Sequence, residues 1–228
     1  MKRKSNKFTP HDIILRDDAC HIKGSFGHAE TWYYDALFTN NYSMVSLINV
    51  IHIGRIGLVL TGLFIYKNSR LIQSKRRSFP LRSFYGSEEI PLIKINEQEI
   101  ITCSLDHEKK WITHLHREDK DLKVDLEFEK NTKGFKGKTC LGDWLVIPQS
   151  KVTGTIFLND NTIPVSGWGY HDHNIYPLST PFVHKGYYFG KFGFDSIHFT
   201  WARILKKHNK DEYLAVLNKN GGYFLIPT

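Results

Sequence analysis

Period-two alternation is the feature that most constrains this chain. In Leu122–Glu129, the apolar Leu122, Val124, Leu126 and Phe128 alternate with Lys123, Asp125, Glu127 and Glu129. That is the signature of a strand with one buried and one wet face. Lys110–Arg117 alternates as well, with Trp111, Thr113, Leu115 and Arg117 opposite Ile112, His114 and His116. Runs rich in β-branched and aromatic residues predict further strands at Ala29–Phe38, Ser43–Ile53, Leu58–Lys67, Arg70–Ser78, Gln98–Leu105, Asp143–Val146, Val152–Leu158 and Pro164–Asn174. The segments between them, such as Lys67-Asn68-Ser69 and Asn159-Asp160-Asn161, carry turn chemistry. No segment reads as a long amphipathic helix, and Asp211–Leu217 reads better as strand. Many short strands point to a barrel or sandwich, and closing the barrel removes edges that would aggregate. The fold class expected is all-β, an antiparallel β-barrel followed by a partial second one. Pro177 to Pro181 interrupts any regular element, and about four strands follow it, too few to close alone. The organisation expected is an N-terminal arm at 1–25, a first barrel at 26–177 and a partial unit at 178–228.

Composition narrows the partners. A 14% aromatic content suits both a sheet core and a cavity for a flat or polyene ligand. Part of the net charge of +8 sits in Lys2, Arg3, Lys4 and Lys7 and in Lys75, Arg76 and Arg77. Such clusters keep a chain soluble, or draw it to an anionic membrane surface or to nucleic acid. No nucleic-acid-binding module motif is present, so nucleic acid is not an expected partner. Cys20, Cys103 and Cys140 are widely spaced and odd in number, against a disulfide framework. The basic N-terminus lacks the apolar run of a signal peptide. The apolar-rich stretch Ile53 to Tyr66 is broken by Gly54, Arg55, Gly57 and Gly62, and is too short to span a bilayer. A cytoplasmic protein that visits a membrane surface to meet an oily substrate is the expectation.

Chemistry concentrates in Gly167-Trp168-Gly169-Tyr170-His171-Asp172-His173-Asn174. Glycine lets a strand pass close to bulky neighbours, and a run of titratable groups is costly to bury unpaired. Alternation puts Tyr170, Asp172 and Asn174 on one face, His171 and His173 on the other. The plain reading is a polar strand end bonded to neighbouring loops. Three functional readings compete with it. Asp172 in an apolar cavity would keep its proton and deliver it, with help from a neighbouring His or Tyr. His171 and His173 could begin a metal site, but it needs further ligands. His114 and His116 could supply them only from an adjoining strand, so no metal is expected. The third reading is passive anchoring of a ligand. A second cluster, His28-Ala29-Glu30-Thr31-Trp32-Tyr33-Tyr34-Asp35, puts Glu30, Trp32 and Tyr34 on one face, fit either for a cavity that steadies positive charge or for an aromatic core with Glu30 at its rim. A third, weaker cluster is His198, Trp201 and Arg203. P-loop, G-x-G-x-x-G, G-x-S-x-G and H-E-x-x-H motifs are absent, and no cofactor is expected.

The segments His28 to Asp35 and Gly169-Tyr170-His171-Asp172-His173-Asn174 together resemble the AttH and carotenoid 1,2-hydratase superfamily, a group similar to fungal Diels–Alderases. The likeness runs from Gly24 to Arg203, and its second motif is the more specific. The resemblance implies two lipocalin-like barrels with the ligand held in or between them. It also implies Tyr170 to Asn174 near that ligand at the domain junction, and Trp201-Ala202-Arg203 as the segment that follows. It implies hydratase or cyclase chemistry without a cofactor, by proton transfer to an isoprenoid, polyene or polyketide. Two departures stand out. Ile175 occupies the place where the group commonly has Trp, and the chain stops with the second barrel half built. Its open edges call for packing on the first barrel, for a second copy, or for a partner chain that completes the barrel. The catalytic residues expected are Asp172, His171, His173 and Glu30. The ligand-binding residues expected are Trp32, Tyr34, Trp168, Tyr170, Asn174 and Trp201. The alternatives are a non-catalytic lipocalin-like binder and a metal-dependent barrel enzyme.

Overall fold

The computed structural model describes residues 8–22, 26–108, 110–194, 196–208 and 210–227. The basic cluster Lys2 to Lys7 lies outside them. The strands in chain order are β1 (His11–Asp12), β2 (Gly27–Phe38), β3 (Tyr42–Ile53), β4 (Ile56–Lys67), β5 (Arg70–Pro80), β6 (Phe84–Gly86), β7 (Ile93–Ile95), β8 (Gln98–Leu105) and β9 (Trp111–Asp119). They continue as β10 (Leu122–Lys130), β11 (Phe135–Lys138), β12 (Asp143–Leu158), β13 (Asn161–Pro177), β14 (His184–Phe194), β15 (Ile197–Lys206), β16 (Glu212–Lys219) and β17 (Gly222–Leu225). Among the described residues the one α-helix is the single turn α1 (Thr180–Val183), at the proline break. No helix among them is long and apolar enough to cross a membrane.

The hairpins follow from their turn residues. Asn68-Ser69 and Asn159-Asp160 all have positive φ, as two-residue turns matched to strand twist require. The main sheet runs β5-β4-β3-β2-β13-β12-β10-β9-β8-β7-β6. Its two ends, β5 and β6, are consecutive and joined by the 3₁₀ turn Leu81–Ser83, so the sheet curls into a nearly closed antiparallel barrel. Arg77 of β5 spans toward the end of β9 with a two-pronged bond to Asp119, both contacts 2.9 Å.

Much of the barrel is filled. Trp32, Tyr34, Phe38, Met44, Ile48, Leu63, Leu115 and Phe128 pack together inside it, each contributing about 1.5–3 kcal/mol by leaving water. These large side chains occupy much of the interior, and a cavity of about 310 Å³ remains against the buried Thr61, Leu63, Ile95, Ile100 and Arg117.

Two predicted strands, Asp143–Val146 and Val152–Leu158, are one strand, β12, with a register shift between Ile147 and Ser150. Pro148 has no N–H to give to the ladder. The shift reverses parity, so Leu145 and Ile147 before it face the same side as Val152 and Ile156 after it. Gly167 and Gly169 do permit close approach on β13. A Cβ at 167 would meet the Leu37 carbonyl at 2.0 Å, and one at 169 would meet Phe128 and Val152 at 2.6 Å.

The second sheet, β14-β15-β16-β17, is an antiparallel meander. Its inner face, with Ala202, Ile204, Leu214 and Val216, packs on Phe135, Trp144, Val146 and Tyr170 of the barrel's outer face. The N-terminal residues are more than an arm. Phe8 joins this second core, and the 3₁₀ turn Leu15–Asp18 leads into the fully buried Asp18 and Ala19 and the buried Cys20.

Candidate active site

Register divides the motif residues between two places. β13 pairs with β2 so that His171 and His173 lie opposite Tyr34 and Trp32, while Tyr170 and Asp172 lie opposite Asp35 and Tyr33. Facing residues of an antiparallel pair share a side. His171, His173, Trp32, Tyr34 and Glu30 therefore point into the barrel. Tyr170, Asp172, Asn174, Tyr33 and Thr31 point to the second sheet.

On the second-sheet side lies a cavity of about 490 Å³, walled by Tyr33, Leu47, Trp144, Tyr176, Tyr187, Phe189 and Leu214, with Asp172 and Asn174 among its few polar groups. A neighbouring cavity of about 680 Å³ shares Leu141, Tyr176 and Tyr187 with it. Asp172 is buried. Tyr170 donates its hydroxyl to Oδ2 at 2.9 Å, and Asn174 donates Nδ2 to Oδ1 at 2.8 Å. Burial pushes the Asp172 carboxyl up to about 6, against the opposing pull of the Tyr170 hydroxyl and His171. Desolvation wins because no cation is bonded to the carboxyl. Lys191, whose ammonium sits 4.4 Å from the centre of the Tyr170 ring, is bonded to Asp35 instead.

Inside the barrel is a buried ionic network. His171 Nε2 lies 2.9 Å from Asp18 Oδ1, and its Nδ1 lies 2.9 Å from the Tyr33 carbonyl. His173 places Nδ1 3.1 Å from Asp18 Oδ1 and Nε2 2.9 Å from Glu30 Oε1. Glu30 also accepts from the His21 amide at 3.0 Å and faces His21 Nδ1 at 3.0 Å and His28 Nε2 at 3.4 Å. Burial alone would raise both carboxyls. The pairing with His171 and His173 holds Asp18 below the usual carboxylate range, and the bonds from His173, His21 and His28 hold Glu30 well below it. Burial would lower His173, but Asp18 and Glu30 carry it up to about 9. Tyr34 stacks on His171 at 4.0 Å and Trp32 on His173 at 4.5 Å, and the indole face favours the cationic form of His173.

The structure thus gathers Asp172 and Asn174 at the cavity, with Tyr170 bonded to Asp172 from outside its lining, and His171, His173, Glu30, Trp32 and Tyr34 in the barrel. It does not bring Trp32, Tyr34, Trp168 and Tyr170 round one cavity with Asp172. Trp168 is half exposed, and Trp201 lies on the far face of the second sheet, over Gly190. Arg203 is paired with Asp211. His114 and His116 point out of the barrel toward Glu127, Glu118 and Asp125, so they supply nothing to His171 and His173. Sequence reasoning missed Asp18 and His21, although Asp17-Asp18-Ala19-Cys20-His21 is a run of potential ligands and acids. It also missed Tyr33 and Trp144 as cavity walls.

No protein-family model and no curated protein matches this chain. Solved structures do. A protein of Nitrosomonas europaea provisionally named AttH superposes with a TM-score of 0.68 at 13% identity, over 92% of this chain and 70% of that one. CghA, solved alone and with Sch210972, is similar at a TM-score of 0.43 and 9% identity, over 86% of this chain and 59% of that one; at that score it adds nothing to the argument. At this identity the AttH likeness speaks to fold alone. This chain has the lipocalin-like fold of that AttH protein, the fold its Tyr170-to-Asn174 motif implies.

Proposed function

We propose that the chain is a proton-transfer enzyme, a hydratase or cyclase, acting on an apolar unsaturated substrate held between the barrel and the second sheet. The observation that carries the reading is a buried carboxyl, Asp172, on the wall of an aromatic-lined cavity, with burial raising its affinity for a proton. Tyr170 and Asn174 both donate to it and fix the carboxyl on the cavity wall, where a proton it carries can be passed to the substrate. In the forward step Asp172 gives that proton to an alkene carbon, whose π pair forms the new C–H bond. The ring faces of Tyr33, Trp144 and Tyr187 can steady the resulting carbocation. Water can then add to it and return a proton to Asp172, a hydration. Alternatively a second π bond can add and the adjacent C–H proton return to Asp172, a cyclisation. A non-catalytic carrier would use the same cavity without the transfer.

An oily substrate needs a way in. Close in sequence to the Ile51 and Pro181 that line the neighbouring cavity, Ile53 and Phe182 are exposed, and Ile53 pairs with Ile56, which is 82% exposed. Arg55 and Lys185 add positive charge there. This rim suits transient contact with an anionic membrane surface, from which the substrate would enter.

The test is incubation with a panel of linear isoprenoid polyenes in D2O, followed by mass spectrometry. Solvent deuterium should appear at a new C–H bond, and Asp172→Asn should lower the rate at least ~100-fold while ligand retention stays near wild type. Tight retention without deuterium uptake by the wild type would support the carrier reading. Equal turnover in the Asn variant would remove Asp172 as the acid.

A further inference from the structure

The barrel network holds a donor set that the cavity chemistry does not use. His21, Glu30 and His173 each offer one ligand atom, all within 4.8 Å of one another. His173 Nε2 and His21 Nδ1 stand 2.9 and 3.0 Å from the same Glu30 oxygen. Ligand atoms around a tetrahedral zinc are about 3.3 Å apart, given bonds of about 2.0–2.1 Å, so seating an ion asks the two contacts to Glu30 to open by a few tenths of an ångström, with both imidazoles staying within the 4.8 Å that bounds the set. Two imidazoles and a carboxylate are the donor types of open, three-ligand zinc centres.

Three further observations favour an ion. Asp18 Oδ1 lies 3.1 Å from His173 Nδ1, on the ring nitrogen that faces away from Glu30. A carboxylate behind a ligating imidazole orients the ring and strengthens it as a donor. The second Asp18 oxygen, Oδ2, is buried without a hydrogen-bond partner, so the pocket holds more acceptor capacity than its donors satisfy. Finally, His21 and His173 line a separate cavity of about 520 Å³ with Asp17, Lys136 and Trp144. An ion on these rings would face open space.

We propose that His21, Glu30 and His173 form a divalent transition-metal site suited to Zn2+, supported by Asp18, with its remaining coordination position open to that cavity. The expectation of no metal rested on the lack of a third ligand beside His171 and His173. The structure supplies two, Glu30 from β2 and His21 from the N-terminal segment, and leaves His171 outside the set. The site lies on the opposite side of β13 from Asp172 and stands independently of the proton-transfer reading.

The test is Zn2+ titration of untagged, chelator-treated protein by calorimetry, with Co2+ as a spectroscopic probe. One Zn2+ per chain is expected, and visible d–d bands with Co2+. Glu30→Gln should abolish binding, and Asp18→Asn should weaken it about 10- to 100-fold. His21 is partly exposed, so His21→Asn tests the site even if Glu30→Gln fails to fold; it should weaken binding at least ~10-fold. A double variant, His114→Asn with His116→Asn, removes the exposed imidazoles of β9 and should leave the stoichiometry at one. Well under one Zn2+ per folded chain, wild-type affinity in His21→Asn, or loss of binding in the β9 double variant would each overturn the proposal.

Discussion

Replacing Asp172 by Asn in the metal-free protein should reverse an unusual pH dependence. Most aspartates in folded proteins lose their proton more readily than in the unfolded chain, and so stabilise the fold as pH rises. Asp172 does the opposite. Its carboxyl stands at about 6 in the fold against 3.8 unfolded, so the native state binds the proton more tightly. Stability is then greatest while the group is protonated and falls as pH rises from about 4 through 6. The shift corresponds to about 3 kcal/mol in full at 1.36 kcal/mol per unit, of which about 2 kcal/mol falls between pH 4.5 and 7.5. Asn keeps the shape and carries no charge at any of these pH values. Its carbonyl can accept from Asn174, and its amide can donate to the Tyr170 oxygen. Urea unfolding of both proteins across this range isolates the Asp172 contribution, because every other group cancels in the difference. The Asn variant should gain on the wild type by about 2 kcal/mol, a relative midpoint shift of about 1 M urea. A flat difference, or a wild type that gains on the variant as pH rises, would refute the burial argument and with it the acid role of Asp172.

The barrel network gives an opposite dependence at higher pH. His173 is raised from 6.5 to about 9, so its contribution is fully present below about 6.5 and lost as pH rises through 9. Chelator-treated wild type should lose about 3 kcal/mol over that window, and a flat urea midpoint between pH 6.5 and 9.5 would contradict it. Asp18→Asn removes the buried carboxylate that pairs with His173 and bonds His171, and should destabilise the fold by about 3–5 kcal/mol at pH 7; a change under 1 kcal/mol would show the network to be loosely coupled. Gly169→Ala brings a Cβ to 2.6 Å from Phe128 and Val152 and should lower stability by about 1–3 kcal/mol, read from the thermal midpoint.

Much of the fold was legible because a strand exposes its period locally. Leu122 to Glu129 sorts itself into two faces without knowledge of any neighbour, and Asn68-Ser69 and Asn159-Asp160 announce their turns. The sharing of faces within β2 and within β13 was legible for the same reason. Three things were not. The sequence does not say which residue of β2 stands beside which of β13, because register is a property of the pair. Trp32 and Tyr34 were thus assigned to the Asp172 cavity, although register sets them against His173 and His171 and leaves Tyr33 facing Asp172. The burial of Asp18 depends on a 3₁₀ turn entering the barrel, a tertiary event with no periodic trace in residues 8–22. Trp201 had readable parity on β15, but which face of that sheet is covered depends on where the barrel lies.

The motif Tyr170-His171-Asp172-His173-Asn174 looks like one site and serves two because β-strand geometry leaves no alternative. Successive side chains must leave a strand on opposite sides, and β13 is flanked by the packed barrel on one side and the second sheet on the other. A polar run on such a strand has to find partners twice. Asp18, Glu30 and His21 answer it inside the barrel; on the other side the Asp172 carboxyl is bonded by Tyr170 and Asn174, members of the run itself, and by Trp144, all of them neutral donors. The imbalance explains the chemistry assigned to each side. An imidazole set between two carboxylates, as His173 is, is held as a cation or a metal ligand, whereas a carboxyl given only neutral donors in an apolar wall holds its proton to a higher pH than usual. Adding a cation on the Asp172 side should therefore change that side alone. Asn174→Lys would bring a cation to Asp172, lower its carboxyl below 6 and abolish the inverted pH dependence while leaving Zn2+ stoichiometry unchanged. An Asn174→Lys protein that keeps the wild-type pH profile would show that something other than the lack of a cation sets the state of Asp172.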